Sequence, residues 1–183
     1  IMGLGLVFYG MGLISTAMTP LRDFEPFLEI LKGLERPIAG ILAGAVFTAV
    51  VQSSAATVGI AIAMASEGLL SLPAGIALAL GANIGSALTT GLMGILSAKS
   101  TEAVRTAMVH VTFNVLGVLL WLPLIWLLVD ITVGMSPSSP ELTGQARAAA
   151  EVPRQIANAN TIFNVINTVL FIGFAGWFAR FAE

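Results

Sequence analysis

The charged residues of this 183-residue chain fall in clusters, and the uncharged stretches between them limit the fold more than any other feature. Residues 1–21, 37–66, 68–98, 106–129 and 155–179 contain no Asp, Glu, Lys or Arg. A soluble domain carries about 25% charged residues; here the share is 10%, with 57% hydrophobic residues and a mean hydropathy of +0.95. Uncharged apolar stretches of such length describe an all-α integral membrane protein, multi-pass, of a plasma or inner membrane, with the lipid bilayer as its solvent. The net charge of −2 leaves no basic footprint, so no nucleic acid is expected as a partner. The absence of cysteine excludes a disulfide framework and a thiolate nucleophile. A single His excludes histidine-rich zinc chemistry. Ile1–Pro20 has neither a basic leader nor a small-x-small cleavage site, and reads as a span rather than a signal peptide.

Lengths then divide the stretches. A helix rises about 1.5 Å per residue and a bilayer core is about 30 Å thick, so one crossing needs about 20 residues. The stretches 1–21, 106–129 and 155–179 each fit one crossing. A straight helix over 37–66 would be about 45 Å long and would need a tilt of about 50°, beyond the usual range. A re-entrant hairpin turning inside the membrane fits that stretch better; the alternative is one long tilted helix. The expected architecture is about four transmembrane helices plus a re-entrant helical hairpin. The count of Lys and Arg on the two sides looks more like a positive-inside pattern for the tilted helix than for the hairpin.

The clusters add detail. Phe24, Phe27, Leu28, Leu31 and Leu34 recur at helical spacing with charges on the other face, which predicts an interfacial amphipathic helix over about 24–36. Lys99, Glu102 and Arg105 form the next cluster, and about 130–153 reads as an extramembrane loop with a turn-rich core at Ser136-Pro-Ser-Ser-Pro140.

The polar residues of the two over-long stretches sit near their midpoints. In the first, Gln52-Ser-Ser-Ala-Ala-Thr57 interrupts an apolar run, with Gly40 and Gly44 four apart before it. Ser53 or Ser54 is a natural N-cap for a helix restarting at Thr57. An N-cap at membrane depth leaves backbone N–H groups that need partners, and an oxyanion suits the positive end of the helix dipole. In the second, Gly81-Ala-Asn-Ile-Gly-Ser-Ala-Leu-Thr-Thr90 offers two glycines for unwinding, with Asn83, Ser86, Thr89 and Thr90 as hard neutral oxygen ligands for Na⁺. Simple small-xxx-small packing by Gly81 and Gly85 is the competing explanation. Ser71 and Pro73 mark the start of that helix. Broken helices meeting near the midplane are the recurring device of secondary transporters. With no Lys or Arg in either segment, an anion held there requires a co-bound cation.

Two spans echo one another at an offset of 50 residues, Ala107-Met-Val-His-Val-Thr-Phe-Asn-Val115 and Ala157-Asn-Ala-Asn-Thr-Ile-Phe-Asn-Val165. In each, a polar residue (His110 or Asn160) precedes an Asn (Asn114 or Asn164) by four, so both share one helix face. These four residues are supporting candidates, by lining a site or by locking helices around it. For His110 the choice is between an interhelical hydrogen bond and a proton relay.

In order and spacing, Gln52-Ser-Ser with Thr57, Gly81-Ala-Asn-Ile-Gly85 with Thr89 and Thr90, and the two Phe-Asn segments resemble the type II sodium/phosphate cotransporter family over roughly residues 1–180. The resemblance implies a carrier built from two inverted repeats, each giving a Gln-Ser-Ser-Ser re-entrant hairpin to a shared site for phosphate and Na⁺. By carry-over, Gln52, Ser53, Ser54 and Thr57 are substrate or ion contacts, with Asn83 nearby. The chain departs from the family pattern at Ala55, where a third serine is expected, and at Asn160, where a His is expected. It holds one Gln-Ser-Ser, so it is expected to be one repeat half, completed by a second half in the same longer chain or by an antiparallel homodimer; its start at Ile1 favours the longer chain.

The resulting expectation is a sodium-coupled carrier of inorganic phosphate working by alternating access, with substrate contacts at Gln52, Ser53, Ser54 and Thr57 and Na⁺ contacts at Asn83, Ser86, Thr89 and Thr90. Na⁺ is the coupling ion and no other cofactor is expected. The rival expectations are a cation-coupled carrier of a dicarboxylate or sulfate and a non-transporting scaffold subunit. An enzyme is not expected, because no paired carboxylates or metal cluster lie within the spans.

Overall fold

A computed structural model describes residues 2–97, 100–174, 176 and 180. Lys99 of the second charge cluster, and Ile1 of the first span, lie outside the described residues. The order of elements is α1 (Met2–Met18), a 3₁₀ turn (Thr19–Leu21), α2 (Glu25–Gly33), α3 (Pro37–Val51), α4 (Ser54–Ser66), α5 (Leu72–Leu96), α6 (Thr101–Trp121), α7 (Ile125–Met135) and α8 (Gly144–Ile172). No strand occurs among the described residues. Of these helices, α5 and α6 are long and apolar enough to cross a membrane, and a third span results if α2 and α3, bent by 109°, are taken together.

Helix starts follow local chemistry. Proline occupies one of the first two positions of α2, α3 and α5, where its missing N–H is not needed. Ser53 caps α4 and Ser100 caps α6, their hydroxyls accepting from the Ala56 and Ala103 N–H groups at 3.2 and 3.3 Å. The turn from α4 to α5 is a Schellman motif. Gly68 takes the left-handed conformation (φ 71°), its N–H donates to the Ala65 carbonyl at 3.0 Å, and the Leu69 N–H donates to the Met64 carbonyl at 2.9 Å.

The centre of the molecule is a seam between α3 and α5. Gly40 faces Ala77, Gly44 faces Leu78, Gly81 faces Ile41 and Ala45, and Gly85 faces Ala45 and Thr48. Numbers rise together on both helices, so α3 and α5 run parallel. A Cβ on Gly85 would stand 2.9 Å from Thr48 Cβ, and one on Gly40 2.6 Å from Ala77 Cβ, so the two backbones meet with almost nothing between them. In contrast, α6 runs back along α5, since Gly91 faces Val111 while Gly94 faces Ala107. The core around the seam is rich in small residues (Ala61, Ala74, Ala77) and is closed by Trp121, Ile125, Leu128, Ile156 and Phe163.

Several expectations change here. The Gly81–Thr90 segment is not a helix break: α5 is helical throughout Leu72–Leu96, and Gly81 and Gly85 serve close packing against α3 instead of unwinding. The uncharged stretch 106–129 is not one helix, although α6, which holds most of it, is long and apolar enough to cross. It divides where Pro123 cannot continue a helix, with α6 ending at Trp121 and α7 starting at Ile125. Within 130–153 only 136–143 is non-helical, because α7 extends to Met135 and α8 begins at Gly144. The amphipathic segment does form a helix, α2, with Leu31 buried and Phe27 and Leu34 against the core.

The non-helical segment 136–143 is tethered to α8. Glu151 accepts from the Ser139 N–H at 2.6 Å and from Arg147 Nε at 2.8 Å. The Ser139 amide first, and then the Arg147 guanidinium, hold its carboxyl below its ordinary value of 4.5. A carboxylate whose folded pKa is depressed stabilises the fold above its unfolded pKa, and that contribution fades as pH falls through the folded value. The thermal stability difference between the natural protein and Glu151→Gln is therefore expected to be present at pH 6 and to shrink on acidification below 4.5. Melting curves across that range decide it; a pH-independent difference would contradict the assignment.

Candidate functional site

At Val51 the helix α3 ends and Gln52 takes the left-handed conformation, φ 58° and ψ 27°, the sole non-glycine with positive φ among the described residues. The chain then turns back. Thr48 and Thr57 stand four residues before Gln52 and four after Ser53, yet their buried Oγ1 atoms are 2.6 Å apart. An uninterrupted helix would separate them by about 13 Å. Thr57 Oγ1 also donates to the Ser53 carbonyl at 3.2 Å, so the hydroxyl pair fastens the inside of the turn.

Beside this turn lies a cavity of about 460 Å³. The first turn of α4 contributes Ser54 and Ala55, and Val58, Gly59 and Ile62 continue that wall. Asn83 reaches it from α5, and Asn160 and Asn164 from α8. Asn83 Nδ2 donates to the Ala79 carbonyl at 2.9 Å and to Asn160 Oδ1 at 3.3 Å. Asn164 Nδ2 donates to the Asn160 carbonyl at 2.7 Å and to Asn160 Oδ1 at 3.3 Å. No Asp, Glu, Lys or Arg is among the described residues lining this cavity. Its polar inventory is the start of a helix, one hydroxyl and three amides: donors for an oxyanion and neutral oxygens for a hard cation.

The structure divides the expected residues. Ser54, Asn83, Asn160 and Asn164 come together in the cavity, and Gln52 and Ser53 form the adjoining turn, with Gln52 exposed. Thr57 is buried against Thr48 and does not line the cavity. Ser86 and Thr89 do not line it either; Thr89 Oγ1 donates to the Gly85 and Ser86 carbonyls of its own helix at 3.0 and 3.1 Å. Thr90 and His110 line a different cavity of about 530 Å³ between α5 and α6, with Glu102 and Thr106. Asn114 is buried and donates to the His110 carbonyl at 2.9 Å, the same i→i−4 bond that Asn164 makes to Asn160. The echo in the sequence is thus an echo in hydrogen bonding, but its two copies face different cavities. Thr48 was absent from the sequence-based candidates. Its signal is the spacing Gly40, Gly44, Thr48, which places it on the seam face of α3.

Comparison with known proteins follows the same lines. The family model described as Na⁺/Pi-cotransporter matches residues 6–125. Over 180 residues the chain is 28% identical to a Bacillus subtilis (strain 168) protein named "Uncharacterized protein YqeW", covering 98% of this chain and 54% of that protein. It is 28% identical over 184 residues to the Escherichia coli (strain K12) protein named "Putative inorganic phosphate export protein YjbB", covering 99% of this chain and 31% of that protein. Over 95 residues it is 37% identical to the sheep (Ovis aries) protein named "Sodium-dependent phosphate transport protein 2A", covering 50% of this chain and 15% of that one. The chain spans about half the length of the first relative and about a third of the second. No solved structure matches it. With its apolar helices it is a multi-pass integral membrane protein, and with a family model matched from residue 6 to residue 125 the chain belongs to the Na⁺/Pi-cotransporter family.

Proposed function

We propose that this chain forms one repeat half of a sodium-coupled carrier of inorganic phosphate, acting by alternating access and not as an enzyme. The observation that carries the reading is the uncharged cavity itself: Ser54, in the first turn of the capped helix α4, shares it with Asn83, Asn160 and Asn164. In this reading α3 and α4 form a re-entrant hairpin that brings the start of α4 to membrane depth, and α2 lies along the headgroups. The N-terminal dipole and hydroxyl of α4 receive the phosphate, together with Gln52 and Ser53 of the turn. Thr57 acts from behind the turn through its bond to Thr48.

Admitting a divalent anion to a cavity without a fixed cation is costly, and a co-bound Na⁺ lowers that cost. Sodium coupling then follows from the composition of the site. Asn83 is the Na⁺ contact the cavity supports best, while Ser86, Thr89 and Thr90 lie outside it. The missing half comes from a longer chain in inverted repeat, as the greater length of the relatives supports, or from an antiparallel second copy. The names of the relatives, which mention phosphate export and sodium-dependent phosphate transport, support phosphate as the anion.

The test is uptake of labelled phosphate into proteoliposomes by the full-length protein. A Na⁺ gradient is expected to drive uptake, and Ser53→Ala with Ser54→Ala is expected to lower its rate at least tenfold. Uptake that persists unchanged in the double variant would sink the reading.

A further inference from the structure

The three cavity amides are not interchangeable. An Asn side chain offers two acceptor lone pairs on Oδ1 and two donors on Nδ2. Asn160 Oδ1 accepts from Asn83 Nδ2 and from Asn164 Nδ2, each at 3.3 Å, which uses both of its lone pairs. Asn83 Nδ2 spends its second hydrogen on the Ala79 carbonyl, and Asn164 Nδ2 spends its second on the Asn160 carbonyl. The orientation of Asn160 is fixed by this pattern, because flipping it would set its NH₂ against two other NH₂ groups.

What is left unspent, among the described residues, is one double donor and two acceptors. The donor is Asn160 Nδ2, and the acceptors are Asn83 Oδ1 and Asn164 Oδ1. None of the three belongs to the polar atoms sealed from solvent without a partner, and all three residues line the cavity. A phosphate oxygen takes N–H donors and repels carbonyl oxygens. A hard cation takes neutral carbonyl oxygens and repels N–H groups.

We infer that Asn160 contacts the phosphate through its NH₂ group, while the side-chain carbonyls of Asn83 and Asn164 hold the cation. The inference rests on the carrier reading above and assigns opposite ligands to residues of one type. It also moves Asn160 from a supporting position to a direct substrate contact. The pairing through Asn160 Oδ1 ties the two ligands together: the donor offered to the anion and the acceptors offered to the cation are what one network leaves unspent.

Asn160→Asp separates the roles. Aspartate has the shape of asparagine and keeps an oxygen for Asn83 and Asn164, but replaces the NH₂ with a second, negatively charged oxygen. In the full-length protein in proteoliposomes, the half-saturating phosphate concentration is expected to rise tenfold or more. Binding of labelled Na⁺ in the absence of phosphate is expected to stay equal or tighten. If Asn160→Asp does not insert, Asn160→Ser, which keeps one acceptor and one donor, is expected to show a smaller shift of the same selectivity. An equal loss of Na⁺ and phosphate affinity, or no change in either, would overturn the assignment and leave the triad as a link between α5 and α8. If the natural protein itself shows no Na⁺-dependent phosphate uptake, the carrier reading falls and this assignment falls with it; uptake with an unselective effect removes the assignment alone.

Discussion

Gly81→Val is expected to force α3 and α5 apart and to destabilise the protein by about 3 kcal/mol or more. Even the first added carbon has nowhere to go. A Cβ on Gly81 would overlap the Ile41 carbonyl oxygen and stand 2.8 Å from its carbon and 2.9 Å from the Ala45 nitrogen. These are backbone atoms, so no rotamer change relieves the clash, and the whole seam from Gly40 to Gly85 must open. Opening it exposes the Thr48–Thr57 pair and separates small surfaces that hold only at close range. Gly12→Ala provides the contrast. Gly12 lies within α1 and a Cβ there meets nothing within 4 Å, so alanine gains helix propensity of up to about 1 kcal/mol. Thermal unfolding of the purified protein and both variants in one detergent tests the pair. Equal melting temperatures for Gly81→Val and the natural protein would refute the seam.

Gln52→Gly is expected to raise stability while removing transport. At φ 58° and ψ 27°, Gln52 bears a left-handed strain of about 1 kcal/mol that glycine does not feel. Glycine would end α3 equally well, and the melting temperature should rise by about 2–4 °C. A strained residue kept where an unstrained one fits is a signature of function. The Gln52 side chain is exposed at the turn next to Ser53 and the cavity, where the carrier reading assigns it to the substrate. Sodium-driven phosphate uptake is therefore expected to fall at least tenfold in a protein that is more heat-resistant. A variant that is both more stable and fully active would remove Gln52 from the site.

Much of this is legible in the sequence. The turn at Gln52–Ser53 follows from a stretch too long to cross straight and too polar at its centre to stay helical, and Ser53 as the N-cap follows from residue type. The start of α5 is written in Ser71 and Pro73, and α2 in the spacing of its apolar residues. What misled was ambiguity in glycine. Gly81 and Gly85 permit unwinding or close approach, and the choice depends on Gly40 and Gly44 of α3, a relation between helices that the α5 segment does not contain. The hydroxyls of Ser86, Thr89 and Thr90 are ambiguous for a related reason, since a hydroxyl on an apolar helix can bond its own backbone, as Thr89 does. The 106–129 stretch lacked charge, and charge alone does not register the break that Pro123 makes. The cavity was legible residue by residue but not as an assembly, because Asn83 and Asn160 meet across 77 residues of chain.

The seam between α3 and α5 has a mechanical consequence. Contacts built from long side chains have slack, because rotamers adjust as helices slide. A joint of glycine on carbonyl has none: a shift by one residue would drive Ile41 or Leu78 into the opposing backbone. The two helices are keyed to a single position, like a spline in its slot, and move as one stiff body. In the carrier reading, a rearrangement that opens the cavity to one side and then the other is expected at the softer joints around that body, where α4 and α8 meet it through side chains such as Thr57 and Asn160, with Asn83 held on the α3–α5 unit.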